Sequence, residues 1–320
     1  MATDVIKKEH TLIAGDGLNL AVRTWEPIEG RTRIGIIQVV HGMAEHCERY
    51  DVFALEAVKR GYVVVADDHR GHGKTMSEEI GQGFLGHRNG WANVLTDLHR
   101  ITMWAKERYA PSRGGQVLPF VMLGHSWGSL LARHYAIQWG NELDALVVMG
   151  TAGHPGVAGV AGYALANAQC RIHGADHPSQ LLSDLAFGSA NSRIDEPRTV
   201  FDWLSRKPEE VNAYLRDPWC GFTCTAGFFR DLTAGTLYVN TLKNVRRVPQ
   251  DLPIHLFSGA MDPVGNYGAG VRAVAAQYRR AGIARINLTL YPGARHELFH
   301  ETNAQEVIVD VLDWLDEISR

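Results

Sequence analysis

The stretch Gly124-His125-Ser126-Trp127-Gly128 sets a hydroxyl between two glycines, where an apolar run from Phe120 to Leu123 meets a helix-like run from Leu130 to Trp139. A serine hydroxyl is a weak nucleophile until its surroundings expose and activate it. A very tight strand-to-helix turn supplies the exposure, because side chains two positions to either side would collide and glycine removes them. The helix that follows contributes the partial positive charge of its N-terminus, which favours developing negative charge. Ser126 is therefore the candidate nucleophile.

Activation requires a base, and the base requires an orienting carboxylate. Asp262, in FSGAMDPVG, and His296, in LYPGARHELF, complete the chain order Ser, Asp, His. Each follows a strand-like run, and Pro263, Gly265 and Pro292-Gly293 keep both loops from winding into helix. Acyl transfer also calls for donors aimed at the oxyanion, each worth about 10² to 10³ in rate. The backbone N–H of Trp127 is one candidate. The other is the N–H of Met43, which Gly42 allows to turn inward in the loop His41 to His46.

The elements that must carry these residues are readable from periodicity. TLIAG and LNLAVRTWEP flank the turn signal Asp16-Gly17 and predict an opening hairpin. Strand-length runs follow at Ile34 to Val40, Tyr62 to Ala66, Phe120 to Leu123, Leu143 to Met149, Ile254 to Phe257 and Ile286 to Tyr291. Helical spacing separates them, at Tyr50 to Arg60, Trp91 to Tyr109, Leu130 to Trp139 and Ala269 to Arg280. A last helix runs from about Ala304 to Ser319, with Asn303 at its N-cap. The alternation predicts an α/β fold with a mostly parallel eight-stranded sheet covered on both faces. It is interrupted by helical pieces rich in proline and small residues. The expected division is a core of residues 1–150 and 249–320 with a mainly helical cap inserted at 151–248. Sites in such sheets open at the carboxyl ends of the strands, which brings the loops just named together.

Composition narrows the function classes. The chain has 320 residues, 45% of them hydrophobic and 21% charged, enough for a large core without a metal or disulfide staple. A net charge of -3 leaves no basic field for nucleic acid. The N-terminus lacks the basic-then-apolar order of a signal peptide, and no run approaches about 18 apolar residues, so the expectation is a cytoplasmic protein. Cys47, Cys170, Cys220 and Cys224 fit reduced thiols.

The stretches VVHGMAEHCERY, ADDHRGHG, GHSWG, SGAMDPVG and RHE resemble α/β-hydrolase serine esterases of the monoacylglycerol lipase and lysophospholipase type, within the serine aminopeptidase-type hydrolase group. The resemblance spans essentially the whole chain. It implies Ser126 as nucleophile, Asp262 and His296 as its partners, Met43 and Trp127 as oxyanion donors, and no cofactor or metal. It also implies a small-molecule acyl ester as substrate, with monoacylglycerols or lysophospholipids favoured. Members of the group often read Gly-His-Ser-Met-Gly-Gly. Here Trp127 and Ser129 replace Met and the last Gly, and the tryptophan is expected to narrow the acyl pocket. The apolar cap stretch GVAGVAGYALANA suits an acyl chain and a transient contact with a lipid surface, while the oligomeric state stays open.

Other readings stand beside this one. A peptidase or amidase with the same three residues would want a carboxylate for the substrate N-terminus, which Glu196, Glu209 or Glu210 could supply. A slow-turnover ligand receptor could keep the same residues. His296-Glu297-Leu298-Phe299-His300 formally matches the zinc motif H-E-x-x-H, which requires both histidines one turn apart on a helix. Gly73-Lys74-Thr75 resembles the end of a phosphate loop, but Asp68 stands where its first glycine belongs. The loop Asp67 to Gly73 is expected to buttress the site through Asp68 and Arg70, and His46, His69, His72 and His125 to brace and pack.

Overall fold

The computed structural model describes residues 5–109 and 117–318. Strands β1 (Val5–Ile13) and β2 (Asn19–Pro27) form an antiparallel hairpin, closed where the Ala14 N–H donates to the Leu18 carbonyl at 2.8 Å. Six strands follow: β3 (Gly35–Val40), β4 (Tyr62–Asp67), β5 (Phe120–His125), β6 (Ala145–Met149), β7 (Ile254–Gly259) and β8 (Ile286–Tyr291). They join one eight-stranded sheet in the order β1-β2-β4-β3-β5-β6-β7-β8. β2 runs antiparallel to β4, and every pairing from β4 onward is parallel.

Every residue of β3, β4, β5 and β6 is buried, as strands covered on both faces must be. The two-residue period sorts their side chains. Ile36, Val63, Val65, Met122, Leu146 and Val148 pack on one side with Leu98 of α2 (Gly90–Arg108) and with Leu131 and Tyr135 of α3 (Trp127–Trp139). Ile37, Val39, Val64, Leu123 and Val147 pack on the other with Phe53 and Val58 of α1 (Asp51–Lys59) and with the C-terminal helix.

Between β6 and β7 the chain forms α4 (Gly156–His173), α5 (Gln180–Phe187), a 3-10 turn at Asp202–Leu204, α6 (Pro208–Arg216), α7 (Ala226–Val239) and α8 (Leu242–Val245). Thr225 caps α7 by accepting the Phe228 N–H at 3.2 Å. α7 packs against α2, α3 and α4. α4 itself buries only Gly159 and Ala166. The remaining helices are α9 (Ala269–Ala281) and α10 (Ala304–Ile318). No helix among the described residues is long and apolar enough to cross a membrane, and all four cysteines are free.

Several boundaries differ from the sequence reading; β1, read as TLIAG, is Val5–Ile13, and β7 runs on to Gly259. β5 continues to His125 and α3 starts at Trp127, so Ser126 alone lies between them rather than a six-residue loop. A Cβ on Gly124 would come 2.4 Å from the Gly128 carbonyl oxygen, and one on Gly128 would come 2.1 Å from that of Val40. That closeness lets the helix begin directly on the strand. β6 starts at Ala145, after a 3-10 turn at Gly140–Glu142 whose end Leu143 closes by donating to the Gly140 carbonyl.

Candidate active site

Ser126 has φ 53° and ψ −121°, a conformation that costs a residue with a side chain on the order of 1–3 kcal/mol. Three hydrogen bonds hold it there. Its N–H donates to the Met149 carbonyl at 2.9 Å, and its own carbonyl accepts the Ser129 N–H at 2.9 Å and the Ser129 hydroxyl at 2.5 Å. Ser129, one of the departures from the family pattern, thus clamps the turn.

The other two candidate residues meet in the interior. The His296 Nδ1–H points at Asp262 Oδ1 across 2.9 Å, and both side chains are buried. Asp262 is fixed in turn: Oδ1 accepts the Val264 N–H at 2.9 Å and Oδ2 faces the Ser258 hydroxyl at 3.4 Å. The loop of His296 leans on the 3-10 turn at Asp202–Leu204. There the His296 and Glu297 N–H groups donate to the Trp203 and Leu204 carbonyls at 3.4 and 2.8 Å, and the Trp203 ring lies 5.1 Å from the imidazole. The ring of His125, the residue before Ser126, lies 4.9 Å from that of His296. Gly150, at the end of β6, leaves room for the imidazole, since a Cβ there would come 3.1 Å from its Cε1.

The loop after β3 closes the group. His41 Nε2 accepts the His69 N–H at 2.9 Å, so Nδ1 carries the proton and donates to the Gly42 carbonyl at 2.7 Å. The Gly42 N–H is taken by Glu45. With both backbone groups of Gly42 engaged, the neighbouring Met43 N–H has no acceptor among the described residues. The N–H of Trp127 opens α3 and has no partner one turn back. Gly42 adjoins Ser126: a Cβ on it would come 3.3 Å from the serine Cβ.

Sequence reasoning missed what lies beneath. Arg49 donates to both Glu297 oxygens at 2.6 Å and to Glu45 at 2.8 Å, while Glu45 also faces His125 at 3.2 Å and accepts from Tyr50 at 2.9 Å. Burial alone would raise Glu45, but the His125 hydrogen bond and the Arg49 charge hold it well below the usual carboxylate range. The same contact with Glu45 outweighs burial at His125 and lifts it above its ordinary value. This buried cluster ties the β3 loop, the serine turn and the histidine loop together. Its visible trace in sequence is the four-residue spacing of Glu45 and Arg49.

Other sequence features resolve as follows. The Trp127 ring is buried against His69, His72 and Phe228 of α7. Asp68 accepts the N–H groups of Cys47 and Lys74, and Arg70 bonds Asp97 and Asp16. The HELFH histidines share no helical face: the segment is a loop and a 3-10 turn, and His300 Nδ1 faces Glu210 at 3.0 Å. Glu210, also bonded to Lys207, is held down to about 2, chiefly by His300. Glu196 and Glu209 are exposed. Among the described residues one group has metal-type donors within 4.8 Å of one another, His46, Asp217 and Cys220. There His46 Nε2 already faces Asp217 Oδ2 at 2.8 Å, and Asp217 Oδ1 accepts the Trp219 N–H at 2.9 Å.

A mostly parallel sheet carrying a strained serine at the end of its β5 and a buried carboxylate–imidazole pair past later strands defines an α/β-hydrolase. Residues 31–303 match the Hydrolase_4 family, described as serine aminopeptidase, S33, and the chain belongs to that family. It is 27% identical over 315 residues to a monoacylglycerol lipase of Mycolicibacterium smegmatis, covering 97% of each chain. It is 26% identical to the human monoglyceride lipase, over 91% of this chain and 84% of that one. A highly thermostable carboxyl esterase from Bacillus coagulans, solved in complex with glycerol, superposes with a TM-score of 0.89 at 29% identity, over 98% of this chain and 99% of its own. The protein is a serine ester hydrolase.

Proposed function

We propose that the protein hydrolyses monoacylglycerol or lysophospholipid-like acyl esters through Ser126, His296 and Asp262, without a cofactor. The Ser126 oxygen attacks the ester carbonyl while His296 Nε2 takes its proton. Asp262, accepting from Nδ1, fixes the tautomer and stabilises the imidazolium. The N–H groups of Met43 and Trp127 hold the oxyanion. Collapse expels the alcohol, which receives the proton from His296, and water then cleaves the acyl-enzyme by the same route. The observation that carries this reading is the buried 2.9 Å contact of His296 with Asp262 beside the serine turn.

Within the class, a monoacylglycerol substrate is favoured by the named activity of the two lipase relatives. We assign residues 151–248 as a cap over the site. Val157, Val160 and Ile172 of α4 and Leu185 of α5 are apolar and 60% or more exposed, which suits contact with a lipid surface. Ranking monoacylglycerols, lysophospholipids, short esters and aminoacyl amides by kcat/KM tests the assignment. Long-chain monoacylglycerols are expected to lead the panel; aminoacyl amides in first place would replace the esterase reading with a peptidase one.

A further inference from the structure

A cavity of about 220 Å³ lies against the loops of Asp262 and His296, lined by Met261, Tyr267, Gly293 and three arginines, Arg193, Arg206 and Arg295. Nothing in the ester hydrolysis uses it. Like charges that share one recess repel, and exposed arginines normally splay into water. Here each guanidinium is held in place by other contacts.

Arg193 lies over the Tyr267 ring, 3.6 Å from its centroid. Arg295 donates through Nη1 to the carbonyls of Asp202 and Ser205 at 2.6 and 2.9 Å. Arg206 uses Nε on Glu301 and Nη2 on Asn303, at 2.8 and 3.0 Å. Its Nη1 lies against Gly293, where a Cβ would come 2.9 Å from it.

The positive charge is only partly neutralised locally. Among the described residues no carboxylate lies within 4.0 Å of Arg193 or Arg295. Glu301 pairs with Arg206 at 2.8 Å and offsets one of the three charges, leaving those of Arg193 and Arg295 without an ion pair. Burial pulls the Arg295 guanidinium below its ordinary value, against the pull of Glu301 and Asp202. Asn266 and Tyr267 both have positive φ, 47° and 53°, in the turn that leads into α9 and sets the Tyr267 ring under Arg193.

The guanidinium nitrogens that carry no hydrogen bond among the described residues, all of those of Arg193, Nε and Nη2 of Arg295 and Nη1 of Arg206, come from three side chains lining one recess. Donors from three sources suit a tetrahedral anion with several acceptor oxygens better than a carboxylate, which one fork satisfies. We propose that this cavity binds phosphate, as the free ion or as a phosphomonoester, through Arg193, Arg206 and Arg295. The site goes beyond the esterase reading and does not depend on it.

Titration calorimetry of the purified protein with inorganic phosphate, against chloride at matched ionic strength, tests it. Saturable one-to-one binding is expected. Arg193→Gln should weaken it about tenfold and Arg193→Glu abolish it, with the melting temperature in chloride unchanged because this side chain is exposed. No saturable heat up to about 10 mM phosphate, or equal binding by Arg193→Glu, overturns the proposal. Two further arms identify the source of the phosphate. If phosphate competes with a 1-acylglycerol 3-phosphate substrate, the cavity takes the head group. If phosphate alters the turnover of a neutral monoacylglycerol in wild type but not in Arg193→Glu, it is an effector site. Loss of all ester turnover with binding intact would sink the esterase reading alone.

Discussion

His296 Nδ1 and Asp262 Oδ1 stand 2.9 Å apart with both side chains buried, although 34 positions separate them in the chain. Burial keeps water from competing for the carboxylate, so Asp262 can set the imidazole tautomer alone. Asp262→Asn preserves the shape and offers an amide that no longer selects that tautomer. We predict a fall in kcat of about 10³ to 10⁴ with a much smaller change in KM, measured on a soluble p-nitrophenyl ester.

Arg49 pairs with two buried carboxylates, Glu45 and Glu297. Removing it leaves Glu297 with no ion-pair partner among the described residues and Glu45 with His125 alone. Arg49→Met is expected to cost about 3–5 kcal/mol in urea unfolding. The triple variant Arg49→Met, Glu45→Gln, Glu297→Gln should recover part of that loss. A single variant as stable as wild type would show that the cluster does not hold the loops.

His72 is fully buried, and burial is the main cause that lowers it from 6.5 to about 4. Between those values the unfolded chain binds a proton that the folded chain refuses. Stability must therefore drop as pH falls through that window, by up to about 3 kcal/mol from this group. Glu45 and Glu297, held below the usual 4.5, add to the loss only at lower pH. Comparing unfolding free energies of wild type and His72→Gln from pH 7 to 4.5 isolates the histidine. The variant should show the shallower slope.

Ser129 donates both its N–H and its hydroxyl to the Ser126 carbonyl. Ser129→Ala removes one donor and leaves the other, so a stability loss of about 1 kcal/mol and less than a tenfold drop in kcat are expected. A drop like that of Asp262→Asn would give the hydroxyl a larger role than holding the turn.

Local pattern was a good guide to the sheet because its central strands are buried on both faces and read as apolar runs. It misjudged the start of α3, since His125 to Ser129 carry no apolar period, whereas the helix begins at Trp127 and passes so close to the Val40 carbonyl that Gly128 has no room for a side chain. Ser126, Asp262 and His296 could be nominated because each follows a strand and the turn chemistry is local. Arg49 with Glu297, 248 positions apart, could not, and neither could Arg193, Arg206 and Arg295 around one recess. Such clusters are products of tertiary packing and leave no spacing to read.

The central claim is that the Ser126 hydroxyl is the nucleophile. A fluorophosphonate probe followed by peptide mass spectrometry, with steady-state ester turnover measured on wild type and Ser126→Ala, tests it directly. The account predicts one label per chain, on Ser126, with activity lost in proportion to labelling, and a variant that keeps less than about 10⁻³ of wild-type kcat while folding normally. Wild-type turnover by Ser126→Ala, or inactivation with the label on another residue, would contradict it.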